Sequence, residues 1–262
     1  MATRKPVKER SPRRRRVKAR RPKLVGVITS LAELNLASQM KEPPDLFELR
    51  LDCLVEVLDE VEKKMSILSG RRGEKAPVII TARDPREGGM GNLSFEKRRD
   101  LLDRFLDHAK YLDVELRSVR AFKLLLDRAQ KQNVRRILSF HDFESTPSTR
   151  SLRAKALTAK EHGADVFKVA TRTDKPAHLA RLVDFITQND VDLAISAMGM
   201  GKLGGISRLL LARCGSVLNY GSLQQASIER QLRKTSRAPI ISGLLPIDVL
   251  RSAVPRGKVS QG

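Results

Sequence analysis

Two side chains able to do chemistry together lie on two nearby apolar runs. The first run reads Ile137-Leu138-Ser139-Phe140-His141-Asp142-Phe143, and the second Val166-Phe167-Lys168-Val169-Ala170-Thr171. An extended chain sends successive side chains to opposite faces. His141 therefore shares a face with Ser139, and Lys168 shares one with Val166 and Ala170. Burial disfavours the charged form of a lysine, and the neutral amine attacks ketones to form a Schiff base. The iminium then acidifies the neighbouring carbon. An imidazole at its side removes that proton and later protonates a leaving hydroxyl. A dehydratase or aldol-type reaction on a small anionic keto substrate follows from this pair.

The elements that must position the pair are legible around it. Residues from about Arg150 to His162 suit a helix, and Gly163 supplies its stop. Strand, helix and strand in that order predict parallel neighbours, with His141 and Lys168 side by side. Six further apolar runs frame the unit: Leu24–Ser30, Leu46–Asp52, Pro77–Arg83, Tyr111–Leu116, Asp192–Met198 and Val217–Ser222, with helical stretches between them. Eight strands alternating with helices predict an α/β fold, a (β/α)₈ TIM barrel. Glu48, Arg50 and Asp52 alternate with Phe47, Leu49 and Leu51, and Asp113 and Glu115 with Leu112, Val114 and Leu116. Since helices cover the outside of a barrel, those charges must point inward and make its cavity polar.

Composition sets the surroundings. The 262 residues carry a net charge of +21, and residues 1–23 hold 12 Lys or Arg against one Glu, or +11 of it. That segment is nearly free of apolar residues and is expected to be a disordered basic tail, in weak contact with polyanions if with anything. The barrel is expected to occupy residues 24–256. No apolar run is long enough for a membrane span, and no signal-peptide pattern is present. Cys53 and Cys214 lack metal or redox spacing, so free thiols in the cytoplasm are expected.

Six short blocks in order give the chain a resemblance to the type I 3-dehydroquinate dehydratases. They are Glu48-Leu49-Arg50 with Asp52, Thr81-x-Arg83 with Glu87-Gly88-Gly89, and Asp113-x-Glu115. The others are Ser139-Phe140-His141-Asp142-Phe143 with Thr146-Pro147, Lys168-x-Ala170, and Met200-Gly201-x-x-Gly204-x-x-Ser207-Arg208. The resemblance implies a (β/α)₈ barrel, usually a homodimer, that uses no metal and no organic cofactor. It implies Lys168 as the Schiff-base lysine, His141 as general acid and base, and Glu87 as the carboxylate that orients His141. Glu48, Arg50 and Arg83 resemble the residues that hold substrate hydroxyls and the ring, and Arg208 the clamp on the substrate carboxylate. The implied reaction is conversion of 3-dehydroquinate to 3-dehydroshikimate and water.

The chain departs from that pattern after the eighth strand. The family's Ser-Ala-Pro-Gly-Gln lid reads Ser227-Ile228-Glu229-Arg230-Gln231 here, so Ser227 and Gln231 keep their spacing while the Pro and Gly that shape a tight turn are replaced. A long basic loop, Leu232 to Ile240, is expected next, then a last helix over Pro246–Val254, with no fused shikimate dehydrogenase after it. Two rival readings stand beside the main one. A class I aldolase would also use a barrel lysine, and a dehydroquinase-like protein with an impaired lid would keep the residues without the rate.

Overall fold

The computed structural model describes residues 21–68, 77–188, 190–223 and 244–253. Within them eight parallel strands alternate with helices: β1 (Lys23–Ile28), β2 (Leu46–Arg50), β3 (Val78–Thr81), β4 (Tyr111–Glu115), β5 (Arg135–Asp142), β6 (Val166–Arg172), β7 (Ala194–Met200) and β8 (Leu218–Ser222). The intervening helices are α1 (Leu31–Gln39), α2 (Leu58–Leu68), α3 (Phe95–Phe105), α4 (Lys123–Lys131), α5 (Thr149–Glu161), α6 (Pro176–Thr187) and α7 (Gly204–Cys214). A two-residue strand, β9 (Leu245–Pro246), and a final helix, α8 (Ile247–Ala253), follow.

Side-chain caps fix where helices begin. Ser30, Ser94 and Ser148 each accept a hydrogen bond from a first-turn N–H of α1, α3 and α5. Such caps satisfy donors that have no partner inside the helix. Gly163 follows α5 at φ +76°, as its place in the sequence predicts.

The sheet runs β7-β6-β5-β4-β3-β2-β1-β8-β9 with every pair parallel. Its two sides meet where the Val217 N–H donates to the Ile195 carbonyl at 2.9 Å and Ser196 Oγ donates to the Leu218 carbonyl at 3.0 Å. The eight-stranded α/β barrel read from the sequence is the fold observed. Most strand ends shift by one or two residues. β7 starts at Ala194 rather than Asp192, because Asp192 sits at φ +52° in the preceding turn, which is incompatible with a strand. α4 starts at Lys123, behind the short 3₁₀ turn Leu116–Ser118. β9 carried too few residues to be read as a strand.

Apolar side chains fill two layers. Outward strand residues such as Leu49, Ile80, Leu138, Phe167 and Val169 pack against the helices, with Phe167 edge-on to Phe185 of α6. Inward, Val25, Leu46, Ile79, Tyr111, Ile137, Val166 and Leu218 form an apolar floor. Two residues further along five of these strands the inward side chain turns polar: Glu48, Thr81, Asp113, Ser139 and Lys168, all buried. That step from oily floor to charged layer puts the site toward the C-terminal ends of the strands, where barrel loops converge. Most of the basic segment expected over residues 1–23 lies outside the described residues, as does the segment holding Ser227 and Gln231.

Candidate active site

Strand register places the two reactive residues. Lys168 is level with Ser139, and His141 lies level with Ala170, one inward step closer to the mouth of the barrel. His141 therefore sits above Lys168, toward the C-terminal ends of the strands. Lys168 Nζ donates to Asp113 Oδ2 at 2.9 Å and to Glu48 Oε1 at 3.1 Å, and lies 4.1 Å from the centre of the Tyr220 ring. Its nearest charges are carboxylates, because Glu48 and Asp113 occupy the same inward layer on β2 and β4.

Arg83 is the hub of the layer. Its Nη1 donates to Asp113 Oδ1 (3.1 Å), Glu115 Oε1 (2.9 Å) and Ser139 Oγ (2.7 Å), and its Nη2 to Asp113 Oδ2 (3.0 Å). Glu48 Oε1 also accepts from Thr81 Oγ1 at 2.9 Å. Burial would raise the Asp113 carboxyl, but the charges of Arg83 and Lys168 outweigh it and hold the group well below the carboxylate range. Sinking charges this deep costs several kcal/mol per ion and is repaid only by close, fully hydrogen-bonded pairing. A network of this kind is poor value for stability alone and good value for aiming side chains.

Glu87 and His141 form the second unit. Asp84 caps a 3₁₀ turn, Pro85–Glu87, and Gly88 ends it at φ +84°, a region glycine enters without strain. The turn delivers Glu87 Oε2 to the His141 backbone N–H at 2.9 Å and to its Nδ1 at 3.0 Å. With Nδ1 carrying the hydrogen toward Glu87, Nε2 is left as a base. Burial, followed by the charges of Arg83 and Lys168, pushes the imidazole well below its ordinary value. Burial, followed by the charge of Glu115, raises the Glu87 carboxyl to about 7.

The remaining arginines take separate stations. Arg50 is held by Asp52 through two bonds of 2.9 and 2.8 Å and donates to the Gly88 carbonyl at 3.2 Å, tying β2 to the Glu87 turn. Arg208 rises from α7 on the β7–β8 side, where its Nη1 donates to the Tyr220 carbonyl at 3.2 Å and lies 3.4 Å from Met198 Sδ. Burial lowers its guanidinium to about 10. The structure thus brings Glu48, Arg83, Glu87, His141 and Lys168 together at this end of the barrel, with His141 one step above Lys168 and with Arg50 and Arg208 at the borders.

The sequence model of the type I 3-dehydroquinases matches residues 25–248. The chain belongs to the type I 3-dehydroquinase family. A 3-dehydroquinate dehydratase of Shouchella clausii is 30% identical over 239 residues, covering 88% of each chain. One from Methanocaldococcus jannaschii is 31% identical over 196 residues, covering 74% of this chain and 84% of its own. Among solved structures, the 3-dehydroquinate dehydratase of Enterococcus faecalis superposes with a TM-score of 0.68 at 28% identity, covering 83% of this chain and 95% of that one.

Asp113, placed inward by strand parity, touches Lys168 itself. Two further side chains of the layer and its surroundings are not singled out by residue type. Tyr220 was passed over, although it stands at the inward parity of Val217–Ser222; its hydroxyl is buried without a hydrogen-bond partner among the described residues. Arg98, on α3, looks from its neighbours Lys97, Arg99 and Asp100 like part of a solvated charged face. It is in fact 3% exposed.

Among the described residues no group of His, Cys, Asp and Glu is arranged to hold a metal, and no helix is long and apolar enough to cross a membrane.

Proposed function

We propose that this dehydroquinase eliminates water from 3-dehydroquinate through a covalent imine on Lys168, to give 3-dehydroshikimate. The observation that carries the reading is the stacking of His141 one inward step above Lys168, with Glu87 fixed to its far nitrogen. Lys168 adds to the ketone and releases water to form the iminium, which is the electron sink; no further cofactor is required by this chemistry. His141 Nε2 takes the proton from the adjacent carbon, and the electron pair moves into the enamine. The enamine expels the β-hydroxyl, which leaves as water with the proton that His141 holds. Hydrolysis of the product imine restores the lysine.

Other residues position the substrate. Glu48, Arg50 and Arg83 line the polar layer and suit hydroxyls and the ring, while Arg208 offers a planar fork to the carboxylate. The family resemblance gives Ser227 and Gln231, which lie outside the described residues, as further substrate ligands. The protein acts as a cytoplasmic homodimer, and residues 1–23, at +11, make weak contact with polyanions.

Borohydride reduction in the presence of 3-dehydroquinate tests the mechanism. The peptide containing Lys168 should gain the mass of the ligand, and Lys168→Ala should abolish both adduct and turnover. An adduct on another lysine, or turnover with none, overturns the assignment.

A further inference from the structure

The outermost charge in the network belongs to a helix. Arg98 on α3 sends Nε to the Ala82 carbonyl at 2.9 Å, Nη1 to Asp84 Oδ2 at 3.0 Å and Nη2 to Glu115 Oε2. The other oxygen of Glu115 accepts from Arg83 Nη1 at 2.9 Å and from the Asp84 N–H at 3.0 Å. One carboxylate therefore stands between an arginine of the site and an arginine that never enters it. Asp84 is in turn the cap of the turn that carries Glu87.

We propose that Arg98 is a positioning residue: by holding Glu115 and Asp84 from the helix side, it aims Arg83 and limits the negative charge that reaches Glu87. This rests on the roles given above to Arg83 and Glu87. A guanidinium is needed because three acceptors in three directions must be met at once, which an ammonium on a flexible stem cannot do with the same rigidity. The charge argument is equally specific. Glu87 is faced by Glu115 from β4, by Arg83 beyond β3, by Arg117 Nε at 4.0 Å from the turn after β4, by His141 from β5, and by its neighbour Arg86. Glu115 is the acid in that set, and Arg98 is its second counterion. Removing Arg98 leaves Glu115 more negative toward Glu87 and frees Arg83 to tilt.

Arg98→Met and Arg98→Lys in the full chain test this, with the Glu87 carboxyl titrated by ¹³C NMR and turnover of 3-dehydroquinate measured in parallel. In Arg98→Met the Glu87 midpoint should rise by roughly half to one pH unit, less than the 1–3 units a charge in direct contact produces. Its kcat/KM should fall about tenfold to hundredfold, the scale of a misaimed positioning group. Arg98→Lys keeps the charge without the fork, so it should hold the wild-type midpoint and still lose kcat/KM by at least about threefold. A folded Arg98→Met with an unmoved midpoint overturns the proposal. If Arg98→Met does not fold, Arg98→Lys decides, and wild-type kinetics in that variant overturn it. The NMR titration reads Glu87 whether or not Lys168 forms the imine, so failure of the imine mechanism is seen separately, in the borohydride experiment.

Discussion

Lys168 Nζ lies 2.9 Å from Asp113 Oδ2, while the other oxygen of that carboxylate takes hydrogen bonds from Arg83 and Ser139. One side chain thus ties the proposed nucleophile to the principal arginine. Asp113→Asn keeps the shape and removes the charge, leaving Lys168 with Glu48 alone and Arg83 with Glu115. Loss of one partner from a buried pair costs about 3–5 kcal/mol. Urea unfolding should show a drop of that size. A loss under about 1 kcal/mol would show the pairing to be nearly neutral. The pH sign follows from the depressed carboxyl: its stabilisation is complete above the ordinary value of 3.8 and is withdrawn only as pH falls well below it. Wild type and Asp113→Asn should therefore differ most at neutral pH and converge in strong acid.

His141→Ala removes the only imidazole in the described layer. General acid–base residues contribute on the order of 10²–10⁴ in rate. Turnover should fall by that much, while borohydride still traps some imine, because Lys168 and its carboxylates are untouched. Near-normal turnover would make His141 structural.

On the proposed mechanism the Glu87 carboxyl, raised to about 7, should set the acid side of the pH profile. Below that pH it takes up a proton, the charge-assisted bond to His141 Nδ1 weakens, and the base loses its orientation. The kcat/KM of the wild type should therefore decline as pH falls through about 7. In Glu87→Gln the rate should be lower at pH 8 and no longer show that limb. An unchanged limb in Glu87→Gln would assign it to another group.

How much of this could be read from the chain depends on the range of each interaction. Strand parity is local, so the inward faces of Leu46–Arg50, Tyr111–Glu115 and Val166–Arg172 were readable residue by residue, and the barrel followed from the alternation of strands with helices. Pairing across the barrel is not local. Lys168 and Asp113 are 55 residues apart, and no pattern around either shows that they touch. Arg98 was hidden for the opposite reason. Its immediate neighbours are charged and exposed, and only its place on the buried face of α3, over Phe122 and Glu115, separates it from them.

The glycines after Glu87 carry the last prediction, because the two fill different spaces. A Cβ at Gly88 would lie 2.6 Å from Phe143 Cζ, and a Cβ at Gly89 2.1 Å from the Arg83 carbonyl oxygen. Phe143 is half-exposed and its ring can swing aside. The carbonyl of Arg83 cannot move without dragging the arginine that holds Asp113, Glu115 and Ser139. Gly88→Ala faces the left-handed strain of about 1–2 kcal/mol as well as the ring, yet both are met locally. Gly89→Ala faces no such strain, but its clash reaches the hub of the site. Gly88→Ala should therefore lose mainly stability and keep kcat within about tenfold, whereas Gly89→Ala should lose about a hundredfold or more in kcat/KM. Adding Phe143→Ala should recover part of the stability lost in Gly88→Ala and none of the activity lost in Gly89→Ala. The reverse ranking, with Gly89→Ala the more active enzyme, would mean that the Arg83 backbone is free to shift and that its side chain is aimed by something other than the turn beneath it.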